Sequence, residues 1–298
     1  MPKFTLLDGG MGRELKRSGA PFCHPYWSAQ ALMEAPQTVM AAHQRFVDAG
    51  AEVIITNSYA CVPFHLGENL YNQRGSALTR LAGKLAREVA DSASYNIKVA
   101  GSLPPPMGSY RPDLFDSARA VEIYQMLLDE QAPYVDLWIA ETIASLEELR
   151  AIIPVVTQSA RPCHYAFTLS DNAEKDPQLR SGQSVESAVA LACAAGAAGI
   201  MFNCSVPEVM HKAIEKTIAY CQDERSNIVV GVYANNFAPI GKTHRANSDD
   251  LATRELSPQE YLHYAKQWYA LGARFIGGCC GIGPEHIKVL ADWKKSNI

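Results

Sequence analysis

Three stretches of the chain share one pattern: VDAGAEVIITNSY at residues 47–59, CAAGAAGIMFNCS at residues 193–205 and YALGARFIGGCCG at residues 269–281. In each, a helical stretch ends in glycine, which suits the left-handed position that closes a helix. A short apolar run follows and stops at polar residues or glycine. A run that is apolar throughout, without alternation, reads as a strand buried on both faces, the habit of parallel sheets.

Working outward, such a run recurs eight times, at residues 4–8, 52–56, 98–102, 137–141, 163–168, 199–203, 228–233 and 274–278. Helical patterns lie between and after the runs, at 36–50, 76–90, 118–131, 145–156, 184–196, 207–221, 257–272 and 283–295. Several open with Ser, or with Pro at an early position, both of which start helices. Eight β/α units in 298 residues match an α/β fold of the (β/α)8 TIM-barrel type, a single domain over residues 1–298. The runner-up is an open doubly wound sheet. It usually has fewer strands, and no GxGxxG fingerprint follows the first run here.

Composition narrows the class. With 48% apolar and 19% charged residues the chain has ample material for a core and is too weakly charged to be disordered. The 27 basic and 31 acidic residues form no long block of either sign, so nucleic-acid binding gains no support. The stretch 188–202 comes nearest to a membrane span, but its alanines and glycines read better as a helix end entering a strand. MPKFTLLDGG lacks the apolar core and cleavage site of a secretory signal. The expectation is a cytoplasmic protein with reduced cysteines and no membrane partner; homo-oligomerisation is left open.

The eight cysteines divide by position. Cys204 directly follows the sixth run, and Cys279 and Cys280 follow the eighth. In a barrel these positions share the rim at the strand C-terminal ends, where barrel enzymes build their sites. Three thiolates with a fourth position open is the donor set of a catalytic zinc site, and soft thiolates select Zn²⁺ over Mg²⁺ or Ca²⁺. Cys23 and Cys61 fall in loops, Cys163 starts a strand, and Cys193 and Cys221 fall in helices, so these five are read as non-ligands. Among the histidines, His24, His65 and His244 fall in loops, and none of the eight stands at a spacing such as HxxxH. Asp8, Ser58, Tyr59, Glu141 and Asn203 end or follow runs on the same rim. Asp8 lies far from the next clear helix and Ser145 is the better cap for the helix after Glu141, which argues against a purely capping role for either carboxylate. Two long connections, residues 9–35 and 104–115, leave that rim, and a third, polar one spans residues 235–256.

The motifs LLDGGMGREL, ITNSY, GSLPP, ETI, NCS and GGCCG, taken in order over nearly the whole chain, resemble those of the homocysteine S-methyltransferase family. The resemblance implies a stand-alone (β/α)8 zinc enzyme that moves a methyl group from a small sulfonium or ammonium donor, such as S-methylmethionine, S-adenosylmethionine or betaine, to homocysteine, giving methionine. It implies that Cys204, Cys279 and Cys280 hold the metal. It also implies that Asp8 and Glu141 hold the homocysteine amino group, with Gly9, Ser58 and Asn203 beside them, and that the nucleophile is the substrate thiolate and no protein group. A cationic donor calls for aromatic faces, for which Tyr59, Trp27 and Tyr26 are the candidates, with Tyr110 and Phe115 further out. Arg111 is a weaker candidate for a donor carboxylate. The loop PPPMGSYRPDLF leaves the donor open. Alternatives are a non-catalytic zinc- or thiol-binding regulator on the same scaffold, and a methyltransferase for another thiol or a selenol. A zinc hydrolase is weaker, because thiolate-rich coordination makes bound water less acidic.

Overall fold

The computed structural model describes residues 3–224, 227–241 and 252–297. His244 and the middle of the connection 235–256 lie outside the described residues. Eight strands are found: β1 (Thr5–Leu6), β2 (Val53–Ile55), β3 (Lys98–Leu103), β4 (Leu137–Ile143), β5 (Cys163–Phe167), β6 (Gly199–Asn203), β7 (Val229–Ala234) and β8 (Phe275–Gly278). They pair in parallel in the order β1-β8-β7-β6-β5-β4-β3-β2. The two ends of that order meet. Leu7 bridges to Val53 in parallel, the Glu52 N–H donates to the Leu6 carbonyl at 2.7 Å, and the Asp8 N–H donates to the Val53 carbonyl at 3.0 Å. The sheet is therefore a barrel, as the eight runs predict, and the open-sheet alternative fails.

After β1 come α1 (Met11–Arg17), α2 (Ser28–Glu34) and α3 (Pro36–Asp48). After β2 come α4 (Pro63–Leu66), α5 (Glu68–Leu70) and α6 (Ser76–Ser92). One principal helix follows each later strand: α7 (Ser117–Gln131), α8 (Leu146–Val156), α9 (Val185–Ala194), α10 (Met210–Asp223), α11 (Pro258–Leu271) and α12 (Pro284–Asn297). His65, read as a loop residue, lies in α4. The connection 9–35 holds two helices that its sequence does not announce. Neither Gly10 nor Trp27 caps its helix with a side chain, so the usual start signal is missing. The helix ends follow expectation: Gly50, Gly196 and Gly272 have φ of 107°, 75° and 118°, a region costly for any residue with a Cβ.

Strand side chains alternate between two cores. The outer core, between barrel and helices, takes Phe4, Leu6, Ile54, Val99, Trp138, Tyr165, Phe202, Val232 and Ile276. The barrel interior takes Leu7, Val53, Ala100, Leu137, Ile139, Ala166, Met201 and Tyr233, with Phe275 and Cys279 against them. A further cluster lies under α1, α2, α3 and α6, around Leu15, Leu32, Val39 and Leu78. No helix among the described residues is long and apolar enough to cross a membrane.

Candidate active site

The alternation that fills the barrel also builds its mouth. Two residues beyond Ala100, Ile139 and Met201 on the same inner faces stand Ser102, Glu141 and Asn203. Tyr233 and Cys279 are the inner-face residues near the ends of β7 and β8. Period-two geometry thus turns polar residues inward at the C-terminal rim, where the apolar filling stops.

Cys204 Sγ lies 2.6 Å from Cys279 Sγ and 3.8 Å from Cys280 Sγ. All three sulfurs fall within 4.8 Å of one another and could hold a metal ion. The backbone is shaped for this. Cys204 has φ 49°, and its N–H donates to the Tyr233 carbonyl at 3.2 Å. The Cys279 N–H donates to the Ala234 carbonyl at 2.8 Å, and the Asn236 N–H donates to the Cys280 carbonyl at 3.0 Å. Gly10, in the turn after β1, sits where a Cβ would come within 2.5 Å of the Cys279 carbonyl oxygen, so only glycine lets that turn pack on the cysteine loop. Hydrogen bonds from the thiols of Cys204 and Cys279, together with the charge of Arg13, hold Cys280 well below the usual thiol range. The bond between the Cys279 and Cys204 thiols leads the influences that hold Cys279 well above that range. All three thiols could ionise this close together only with a cation between them.

The two carboxylates are buried. Asp8 Oδ2 accepts from the Ile55 N–H at 2.8 Å, while Oδ1 has no partner among the described residues. Burial holds Asp8 well above the usual carboxylate range; the Ile55 bond opposes this and the charge of Glu141 adds to it. Helix α1 begins only three residues after Asp8, closer than its sequence suggests, but Asp8 does not cap it. Glu141 accepts from the Ser102 hydroxyl at 2.5 Å and from the Tyr233 hydroxyl at 3.4 Å. Burial pushes Glu141 up to about 7, Ser102 and Tyr233 pull it back, and the charge of Cys204 adds to the rise. Ser145 caps α8 by accepting from the Glu148 N–H at 3.1 Å, so Glu141 is free of that duty. Like-charged carboxyls that are out of water and underpaired suit a cationic ligand.

The other predicted residues have distinct surroundings. Both ends of the Asn203 amide are occupied: the Thr142 N–H donates to Oδ1 at 3.0 Å, and Nδ2 donates to the Thr142 hydroxyl at 2.9 Å. Asn203 thus ties β6 to Thr142, which has φ 60°. The Ser58 hydroxyl donates to the Ser102 carbonyl at 3.1 Å. It belongs to a buried network in which Thr56 donates to Gln131 at 2.6 Å and Gln131 donates to the Ser102 carbonyl at 3.1 Å. The Gly9 and Ser58 N–H groups donate to no partner among the described residues. The Tyr59 hydroxyl meets Ser109 Oγ at 2.6 Å, and the charges of Cys204 and Glu141 bear on it. Trp27 packs edge-on to Phe22 and His24, and Tyr26 packs against the cluster under α1 and α2. Arg111 pairs with Asp113 at 2.6 Å. Tyr110, an outlying candidate by sequence, is close enough that burial and the charges of all three cysteines raise its phenol. Arg180 lies 4.8 Å from its ring centroid. Ser102 and Tyr233 were missed as site residues, although inner-face parity along β3 and β7 points to both.

The homocysteine S-methyltransferase family model matches residues 5–293. Homocysteine S-methyltransferase of Escherichia coli (strain K12) is 29% identical over 96% of this chain and 93% of its own. Selenocysteine methyltransferase of Astragalus bisulcatus is 27% identical over 95% and 90%. The crystal structure of the homocysteine methyltransferase MmuM from Escherichia coli in its metallated form superposes with a TM-score of 0.80 at 26% identity, covering 98% of this chain and 96% of that one. Type I 3-dehydroquinate dehydratase from Clostridium difficile, at TM-score 0.55 and 8% identity, shares the fold alone. A closed barrel, a cysteine triad and two buried carboxylates on one rim, and a match running nearly end to end lead to one conclusion: the chain belongs to the homocysteine S-methyltransferase family.

Proposed function

We propose that this chain is a zinc-dependent methyltransferase that moves a methyl group from a small sulfonium or ammonium donor to the thiol of homocysteine, giving methionine. The observation that carries the reading is the convergence of Cys204, Cys279 and Cys280, all within 4.8 Å, on the rim that also buries Asp8 and Glu141. The donor set suits zinc. Tetrahedral Zn–S bonds of about 2.3 Å separate two sulfurs by roughly 3.8 Å, the separation of Cys204 and Cys280. Cys279 has to draw back from Cys204 by roughly 1 Å to meet the same geometry. Bound zinc would supply a Lewis acid that lowers the pKa of the acceptor thiol.

The chain's own residues do the rest. Asp8 and Glu141 take the acceptor's ammonium, which cancels their mutual repulsion. Ser102 and Tyr233 hold Glu141 in place for it. The N–H groups of Gly9 and Ser58, which donate to no partner among the described residues, are available to the acceptor's carboxylate. In the transfer, a bond forms between the acceptor sulfur and the methyl carbon as the methyl–sulfur or methyl–nitrogen bond of the donor breaks. The bonding pair leaves with the donor, now a neutral thioether or tertiary amine, so no acid is required. Alignment of the two substrates becomes the main task of the protein. A selenol acceptor is the second reading, favoured by the selenocysteine methyltransferase among the relatives. A non-catalytic regulator would have no use for two buried carboxylates beside the sulfurs. A cytoplasmic location and small-molecule partners complete the reading.

The test is a donor panel. The purified protein is given homocysteine with S-methylmethionine, S-adenosylmethionine, betaine or dimethylsulfoniopropionate in turn, and methionine is measured. Methionine from at least one donor is expected, with about one zinc per chain that is lost in Cys204→Ala and Cys280→Ala. No methionine from any donor overturns the activity, and full zinc retention in both variants overturns the ligand assignment.

A further inference from the structure

Arginines around the rim are spent on carboxylates. Arg111 holds Asp113 at 2.6 Å, Arg180 holds the buried Asp171 at 2.9 Å, and Arg254 holds Glu208 at 2.7 Å. Arg13 differs. It is half-buried, its guanidinium lies 5.6 Å from the Phe237 ring centroid, and it has no carboxylate partner or hydrogen bond among the described residues. A partly buried guanidinium with its donors unspent is an anion site in waiting, because its planar fork matches a carboxylate.

Its place in the barrel says whose carboxylate. Asp8 turns toward β2, where it accepts from Ile55, and Glu141 stands at the end of β4. The ammonium end of an acceptor therefore lies toward β2–β4. The sulfurs of Cys204, Cys279 and Cys280 lie past the ends of β6 and β8, so the acceptor's thiol lies on that side. Arg13 is over Phe237, which follows β7, one residue beyond the Asn236 that holds the Cys280 carbonyl. Arg13 thus stands beside the loop after β7 that packs on the cysteine turn, on the thiol side of the rim, where the donor has to approach. A plain onium donor would be drawn by the thiolates but repelled by Arg13. A donor that carries a carboxylate as well satisfies both charges.

We propose that Arg13 binds the carboxylate of the methyl donor and so selects zwitterionic donors over purely cationic ones. This assignment rests on the methyl transfer proposed above. Transfer rates are measured for wild type, Arg13→Gln and Arg13→Lys with two matched donors, dimethylsulfoniopropionate and its methyl ester, alongside S-methylmethionine and its methyl ester. Zinc content and homocysteine KM are measured in parallel. Wild type should prefer each acid over its ester. In Arg13→Gln the KM for the acids should rise roughly ten- to a hundredfold, as expected for a lost charge-assisted pair. The acid-over-ester preference should collapse, with zinc content and homocysteine KM unmoved, and Arg13→Lys should recover part of it. An unchanged donor KM in Arg13→Gln, or a rise in homocysteine KM in its place, overturns the assignment while leaving methyl transfer intact. A wild type inert with every donor overturns the transfer reading itself, and this assignment with it.

Discussion

Replacing Asn203 with alanine separates two roles that its position allows. The side chain is fully buried, and both ends of its amide are used on Thr142, at 3.0 and 2.9 Å. Alanine would leave the buried Thr142 N–H without an acceptor, at a cost of about 1–3 kcal/mol. The lost amide leaves a void worth roughly another 1 kcal/mol. The net loss is about 2–4 kcal/mol. For 298 residues at roughly 2.1 cal/mol/K per residue, Tm should fall by about 3–6 °C. The assay is calorimetry at a fixed zinc concentration, because bound metal shifts Tm by mass action. Thr142→Val, which removes only the hydroxyl and keeps the N–H bond, should lose a smaller share. An unchanged Tm with a tenfold or greater rise in homocysteine KM would refute the reasoning and return Asn203 to direct substrate contact.

Other consequences follow from burial and close packing. Glu148 is buried, accepts from the Ala144 N–H at 2.6 Å and is pushed up to about 8 by burial. Its folded value lies above the unfolded one, so its contribution to stability is complete below about 4.5 and is lost as pH rises through about 8. Glu148→Gln keeps an acceptor for Ala144, so its Tm should vary less between pH 5 and 9; equal slopes in both proteins would remove Glu148 as the cause. Burial pushes Glu141 up to about 7, and an ammonium is held by the ionised form, so homocysteine KM should rise as pH falls through that value. Glu141→Gln should have a higher KM from which this pH dependence is missing, with zinc retained; a pH profile matching wild type would exclude the clamp. Gly10→Ala places a methyl 2.5 Å from the Cys279 carbonyl oxygen. Faster zinc loss to a chelator and a lower Tm are expected, whereas wild-type retention would show that the contact yields at no cost.

Much of the molecule is legible from its residues. The eight apolar runs correspond to the eight strands, and the glycines of the three opening stretches take the positive φ expected of them. Burial on both faces makes these strands apolar at every position, and that pattern survives in the chain itself. Helices α1 and α2 were not legible, because each has seven residues and no side-chain cap. Ser102 and Tyr233 are not legible as site residues, because a lone polar residue in an apolar run gains meaning only from the face it occupies. The partners of Asn203 were equally hidden, since Thr142 is 61 positions away.

The sequence by itself determined the barrel, the rim and the identity of the three cysteines, because strand periodicity and strand ends are local properties. Tertiary structure alone decided which neighbours each rim residue has. It spends Asn203 on Thr142 and Arg111 on Asp113, leaves one oxygen of Asp8 without a partner among the described residues, and lifts Glu141 toward neutral pH. Those outcomes depend on burial and on partners from distant strands, and both come into being only when the barrel closes.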